Sequence, residues 1–180
     1  MQCFIGIDVG QPLSESILNL KNDWDKLQLP PANFHKHTHP HITIIPPFWT
    51  KDVLKMADDL TEITQVFGQF DADYAKVGAF NHRILHISVS SNGIVDLAAK
   101  LFYYGRGIYD FLDQHPVYHA HTTVGYTKAP MTQKEYLIVA KKLSDYLAIP
   151  MHQEISSISI YGRETENMDY RTLGFLPLYT

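Results

Sequence analysis

The sequence predicts an α+β protein of two related lobes, with antiparallel strands arranged around a central cleft. Three observations carry that expectation. A short strand-like segment occurs twice, as HPHITIIP at 39–46 and HAHTTVGY at 119–126, and both read His-x-His-x-Thr followed by an aliphatic residue. Each is followed by one amphipathic helix and then two strands, so a βαββ pattern repeats. The chain of 180 residues has room for one domain, or two small lobes sharing a core. We therefore expect a single domain over 1–180, with lobes near 36–104 and 117–180 and with residues 1–35 contributing a strand and a helix.

Each element follows from local pattern. QCFIGIDV (2–9) is a compact apolar run and predicts a buried strand. SESILNLKNDWDKL carries Ile17, Leu20, Trp24 and Leu27 at helical spacing, with Ser14 as its expected cap and Pro30-Pro31 as its stop. HPHITII predicts a strand ended by Pro46-Pro47, and Thr50 is expected to cap a helix with Val53, Met56, Leu60, Ile63 and Phe67 on one face. Residues 72–80 and 83–90 predict a hairpin turning at Asn81-His82. GIVDLAAKLFYY predicts a short helix, and the glycines and closing proline of GRGIYDFLDQHP a connection. YHAHTTVGY predicts a strand, and Thr132 with Glu135 forms the capping box of a helix running to Leu147. ISSISIYG (155–162) and YRTLGFLPL (170–178) predict a closing hairpin.

Composition narrows the function. A net charge of −4 argues against coating long nucleic acid, which needs an excess of Lys and Arg, but allows a nucleotide or short oligonucleotide ligand. The single cysteine, Cys3, excludes an intrachain disulfide and a CxxC metal knuckle. The start lacks a signal-peptide pattern and no run approaches a membrane span. The expectation is a soluble, monomeric protein of the reducing cytoplasm.

The duplicated motif carries the chemistry. Residues i and i+2 of a strand share a face, so His41 shares one with Thr43 and His121 with Thr123, while Ile42 and Thr122 point away. If a pseudo-twofold axis relates the lobes, two imidazoles and two hydroxyls meet across the cleft. Imidazoles titrate near neutrality, so one can accept a proton while the other donates one. Hydroxyls and ring N–H groups can hold the non-bridging oxygens of a phosphodiester.

On these residues the chain resembles the 2H phosphoesterases, the LigT-like or 2′-5′ RNA ligase superfamily. The resemblance rests on HIT at 41–43, HTT at 121–123, the opening strand FIGIDV, PHITIIPPF around the first motif and a last strand ending FLPL. It implies a bilobal pseudo-twofold fold and metal- and cofactor-independent cleavage of phosphodiesters such as 2′,3′-cyclic nucleotides or 2′-5′ linkages. Carried over, His41 and His121 are the acid/base pair, and Thr43 and Thr123 hold the phosphate. Where many members carry a basic residue soon after the second motif, this chain has VGYTK, with Tyr126 ahead of Lys128.

Phe48, Tyr118 and Tyr126 flank the motifs and are candidates to stack on a base, with core packing as the competing role. Arg163, after SISIYG, is a candidate phosphate contact. His35, His37, His39 and His41 alternate and could ligate a metal, but the run contains no carboxylate and reads better as a polar loop entering a strand. His39 and His119 are expected at the cleft edge. A non-catalytic protein that binds nucleotide or RNA ends on the same scaffold is the alternative function.

Overall fold

Five successive residues of the first strand, β1 (Gln2–Asp8), are buried, Cys3 through Ile7. Burial on both faces places β1 inside a sheet rather than at its edge. The computed structural model describes residues 1–34, 39–109 and 118–179. Helix α1 (Leu13–Asp23) buries Leu13, Ser14, Ile17 and Leu20, and a short 3₁₀ turn, Asp25–Leu27, follows it. Ser14 is not the cap. Its amide already donates to the Gly10 carbonyl at 3.0 Å, so the helical turn has begun before it, and Pro12 holds the cap position.

After the two-residue β2 (Ala32–Asn33), strand β3 (His41–Trp49) runs through Pro46 and Pro47 instead of ending there. Its antiparallel ladder to β1 pairs Ile5 with Ile45 and Cys3 with Phe48, so three residue steps of β3 match two of β1. This bulge sets the prolines where no ladder N–H is required. Asp52 caps α2 (Val53–Thr64) by accepting the Lys55 amide at 2.9 Å; Thr50 instead braces the strand–helix corner, its amide on the Met1 carbonyl at 3.0 Å.

The hairpin of β4 (Phe70–Phe80) and β5 (Ile84–Ser90) turns at Asn81 and His82, both left-handed with φ of 49° and 52°. Two consecutive positive φ angles match the twist of the flanking strands. Helix α3 (Asn92–Gly105) starts at Ser91, and strand β6 (His121–Thr127) leads to α4 (Gln133–Leu147), whose Thr132–Glu135 capping box is complete. The expected connection lies partly outside the described residues. Strand β7 (Met151–Ile155) was not evident from its polar sequence MHQEI; it is an edge strand pairing with β4. Strands β8 (Ser157–Arg163) and β9 (Arg171–Pro177) form the closing hairpin.

Among the described residues all nine strands join one antiparallel sheet in the order β7-β4-β5-β6-β3-β1-β8-β9, with β2 on β6. Strands β3 and β6 meet at a single ladder pair, Ile42 with Thr122. That seam separates two four-stranded halves, and reading outward gives β3-β1-β8-β9 on one side and β6-β5-β4-β7 on the other. The lobes are thus not the consecutive segments 36–104 and 117–180. After α2 the chain crosses to the β6 side, and after β7 it returns to the β3 side. A strand has two hydrogen-bonding edges, and those of β3 are taken by β1 and β6, so β4 and β5 must pair elsewhere. Helix α2 packs on β9 and α3, α3 on β3 and β4, and α4 on β4 and α1. Among the described residues no helix is long and apolar enough to cross a membrane.

Candidate active site

The two motifs lie at the seam. Ile42 is 0% and Thr122 1% exposed, whereas His41, Thr43, His121 and Thr123 are half-buried on the opposite face. All four line one cavity of about 200 Å³, together with Lys21, Phe34 and Tyr126. The antiparallel pairing of Ile42 with Thr122 sets His41 beside Thr123 and Thr43 beside His121. The histidines therefore occupy one diagonal of a four-residue square, whose Cα separation in a regular ladder is roughly 7–8 Å. That diagonal leaves room for one tetrahedral group between two rings.

Each imidazole is oriented in the same way. Nδ1–H of His41 donates to the His39 carbonyl at 2.8 Å, and Nδ1–H of His121 donates to the His119 carbonyl at 2.7 Å. A carbonyl only accepts, so Nδ1 carries the proton and Nε2 is the nitrogen whose protonation can change. His39 and His119 thus serve through their backbone; both side chains are exposed, with His39 Nδ1 4.0 Å from Asp8.

The ring supports differ between halves. His41 packs on Phe4 and Tyr161, at centroid distances of 4.7 and 5.3 Å. Phe4 and Tyr161 stack at 4.4 Å. The Tyr161 hydroxyl donates to Asp8, which also accepts from the Ser159 hydroxyl at 2.8 Å. Burial, reinforced by the Asp8 bond, holds the Tyr161 phenol far above its ordinary range. His121 instead meets Phe80 edge-on at 4.9 Å and His86 at 5.5 Å.

His86 was not among the residues expected at the site. It lies opposite Thr123 in the β5–β6 ladder, 7% exposed, stacked on Phe80 at 4.0 Å, with Nδ1 3.3 Å from the Ile84 carbonyl. Burial pushes its pKa down, which favours the neutral ring. Gly78 makes room for it, since a Cβ there would stand 2.5 Å from His86 Nε2. The equivalent place opposite Thr43 is Gly6, whose Cβ would meet the Ile42 carbonyl at 2.9 Å, so among the described residues a third imidazole stands behind His121 and not behind His41. The sequence signal was a histidine inside the apolar strand RILHISVS. Lys21, which brings a cation to the cavity from α1, was also missed; it sits four residues after Ile17 on that helix.

The expected substrate contacts divide. Tyr126 lines the cavity and hydrogen-bonds Thr123; burial raises its phenol pKa. Tyr118 donates its hydroxyl to the Thr43 carbonyl at 2.8 Å, tying the entry of β6 to β3, and burial pushes this phenol well up. Phe48 is no ligand contact, being 1% exposed in the core against Tyr109. Arg163 lies away from the cavity. Its Nε donates to Gln2 at 2.7 Å, Nη1 to the Glu166 carbonyl at 2.8 Å, and the guanidinium covers the Tyr170 ring at 4.4 Å. His35 and His37 lie outside the described residues; among those described, no three His, Cys, Asp or Glu side chains are grouped to hold a metal.

Comparison with known proteins agrees with this architecture. The protein is similar in structure to TT0787 of Thermus thermophilus, with a TM-score of 0.72 and 12% identity over 99% of this chain and 98% of that one. Escherichia coli LigT complexed with 3′-AMP matches with a TM-score of 0.66 and 14% identity, covering 99% of this chain and 98% of its own. The MHV ns2 PDE domain matches with a TM-score of 0.53 and 17% identity over 86% of this chain and 87% of that one. At these identities the likeness establishes the fold. No curated protein sequence matches the chain. The family model described as the 2′-5′ RNA ligase superfamily matches residues 15–167, which is most of the sequence, and the chain belongs to that superfamily.

Proposed function

We propose that this protein is a phosphodiesterase that cleaves a nucleotide phosphodiester, a 2′,3′-cyclic phosphate or a 2′-5′ linkage, by general acid–base catalysis without a metal. The observation that carries this is the diagonal pair of imidazoles, each held through Nδ1 with Nε2 left as the exchanging nitrogen. In hydrolysis the neutral histidine takes a proton from the attacking water as the new P–O bond forms. The protonated one gives a proton to the leaving ribose oxygen as the old bond breaks. Thr43 and Thr123 hold the non-bridging oxygens, and Lys21 adds a positive charge where phosphate charge must be balanced. Tyr126 steadies Thr123. Cys3 is an unsuitable nucleophile, because it is fully buried and its burial raises the thiol pKa.

The superfamily membership supports the phosphoesterase class, and E. coli LigT has been crystallised with 3′-AMP and with phosphate. The test is a panel of 2′,3′-cyclic mononucleotides, 2′-5′ oligoadenylate and cyclic dinucleotides, run with and without chelator. Turnover that persists in excess EDTA and is lost in His41→Ala, with ligand affinity kept, is the expected result. Wild-type turnover by His41→Ala overturns the two-histidine mechanism. Loss in EDTA restored by a single divalent ion overturns its metal independence.

A further inference from the structure

The two halves of the sheet match strand for strand on either side of the seam, so the surroundings of the two histidines can be compared place by place. Across β1 the ladder neighbour of His41 is Asp8; across β5 that of His121 is Ser88. Thr43 faces Gly6 where Thr123 faces His86. One strand further out, Ser159 and Tyr161 stand where the other half has Gly78 and Phe80. His41 therefore has a carboxylate on its flank. At the matching places His121 has a hydroxyl and a phenyl ring, with an imidazole beside it whose burial favours the neutral form.

Directly opposed residues of an antiparallel ladder share a face, with Cβ atoms about 4.5–5.5 Å apart. Asp8 is fixed in that place from several sides. Ser159 and Tyr161, each 1% exposed, donate their hydroxyls to its two carboxylate oxygens, and Gln153 Nε2 donates to its backbone carbonyl at 3.0 Å. Neutral donors steady a carboxylate without cancelling its charge. Among the described residues the ion-pair partner of Asp8 is the exposed His39, with Nδ1 at 4.0 Å, and not a lysine or arginine. The other groups facing His41 do not set it apart from His121. Lys21 borders both histidines in the shared cavity, and the buried Tyr161 phenol stays neutral.

We infer that Asp8 is a positioning residue that holds His41 as the imidazolium, so that His41 is the acid of the reaction and His121 the base. This rests on the phosphodiesterase proposed above. Nε2 of neutral His121 takes a proton from the attacking water as its oxygen bonds to phosphorus, and Nε2–H of His41 protonates the ribose oxygen as the old P–O bond breaks. Exchange with solvent then returns a proton to His41 and removes one from His121.

The test uses Asp8→Asn, which keeps the shape, and Asp8→Ser, which copies the other half, with circular dichroism to confirm folding. The first measurement needs no turnover. In an NMR titration the His41 ring is expected to reach half-protonation about one pH unit lower in both variants, the low end for an opposite charge this close because the Asp8 side chain is 32% exposed. A midpoint equal to that of the wild type overturns the inference. The second measurement varies the leaving group, because p-nitrophenolate departs without a proton and a ribose oxygen does not. His41→Ala is expected to lose about tenfold less kcat/KM on thymidine 5′-(p-nitrophenyl phosphate) than on adenosine 2′,3′-cyclic phosphate, and His121→Ala to lose equally on both. Asp8→Asn is expected to lose activity on the cyclic phosphate alone, which a merely structural role would not produce. Equal losses on both substrates for His41→Ala and Asp8→Asn, or the pattern exchanged between His41 and His121, overturn the assignment. If the wild type cleaves neither compound, the phosphodiesterase proposal fails separately, and the titration alone decides whether Asp8 holds the His41 proton.

Discussion

Gly78→Ala tests whether the packing behind His121 matters. The added Cβ would stand 2.5 Å from His86 Nε2, 2.8 Å from Cε1 and 3.3 Å from Cδ2. An ordinary contact begins near 3.4 Å, so the ring must retreat by about 1 Å. Its face lies on Phe80 at 4.0 Å and its edge meets His121 at 5.5 Å, so a shift of the ring disturbs those two contacts. Overpacking of this kind costs about 1–3 kcal/mol. In a domain of this size that lowers Tm by roughly 2–12 °C, taking about 2–4 °C per kcal/mol. A displacement of about 1 Å passed to His121 would lower kcat by up to about 10²-fold, since acid–base geometry tolerates little misplacement. Urea unfolding and kcat are measured for Gly78→Ala, His86→Ala and the double variant. Removing the ring removes the clash, so the double variant should be no less stable than His86→Ala alone, a coupling on the order of 1–3 kcal/mol. Wild-type stability of Gly78→Ala, or strict additivity in the double variant, would refute the reasoning.

Three further outcomes are expected. His41→Ala and His121→Ala should each lower the rate on the best substrate by on the order of 10²–10⁴, with the double variant little worse, and wild-type kcat/KM should be bell-shaped in pH with two apparent values belonging to the pair. His152 on β7 donates to Asp73 at 2.8 Å and contacts Asp71 at 3.1 Å, and the Asp73 bond raises its pKa. A raised folded-state value means that its stabilisation is fully present below the unfolded value of about 6.5 and is lost as pH rises through the folded one. Stability curves of wild type and His152→Ala should therefore converge above neutrality; a gap that widens with pH contradicts the clamp, and activity should be nearly unaffected. Phe48→Ala should cost about 3–5 kcal/mol in denaturant unfolding and leave nucleotide affinity per folded molecule unchanged, as expected of a core ring and not a stacking platform.

Whatever depends on period and local backbone chemistry was legible in the chain alone. Strand alternation set His41 with Thr43 and His121 with Thr123 on one face and turned Ile42 and Thr122 inward. The Thr132–Glu135 box and the Asn81-His82 turn are made by residues close together in the chain, so their partners were already legible. Pairing between distant strands was settled by the assembled fold. Pro46 and Pro47 stay within β3 because a bulge against β1 releases their ladder positions, and MHQEI becomes a strand because β4 has an edge to offer. Phe48 and Tyr118 both flank a motif, yet one is fully buried and the other reaches across to Thr43. Arg163 was drawn to Gln2 and Tyr170, which no local spacing announces. The approach of His86 to His121 needs the β5–β6 register, and the diagonal of the two catalytic candidates needs the single seam pair of Ile42 with Thr122. A strand carries its own alternation, but the partner and register along each edge are set by the packing of the whole sheet.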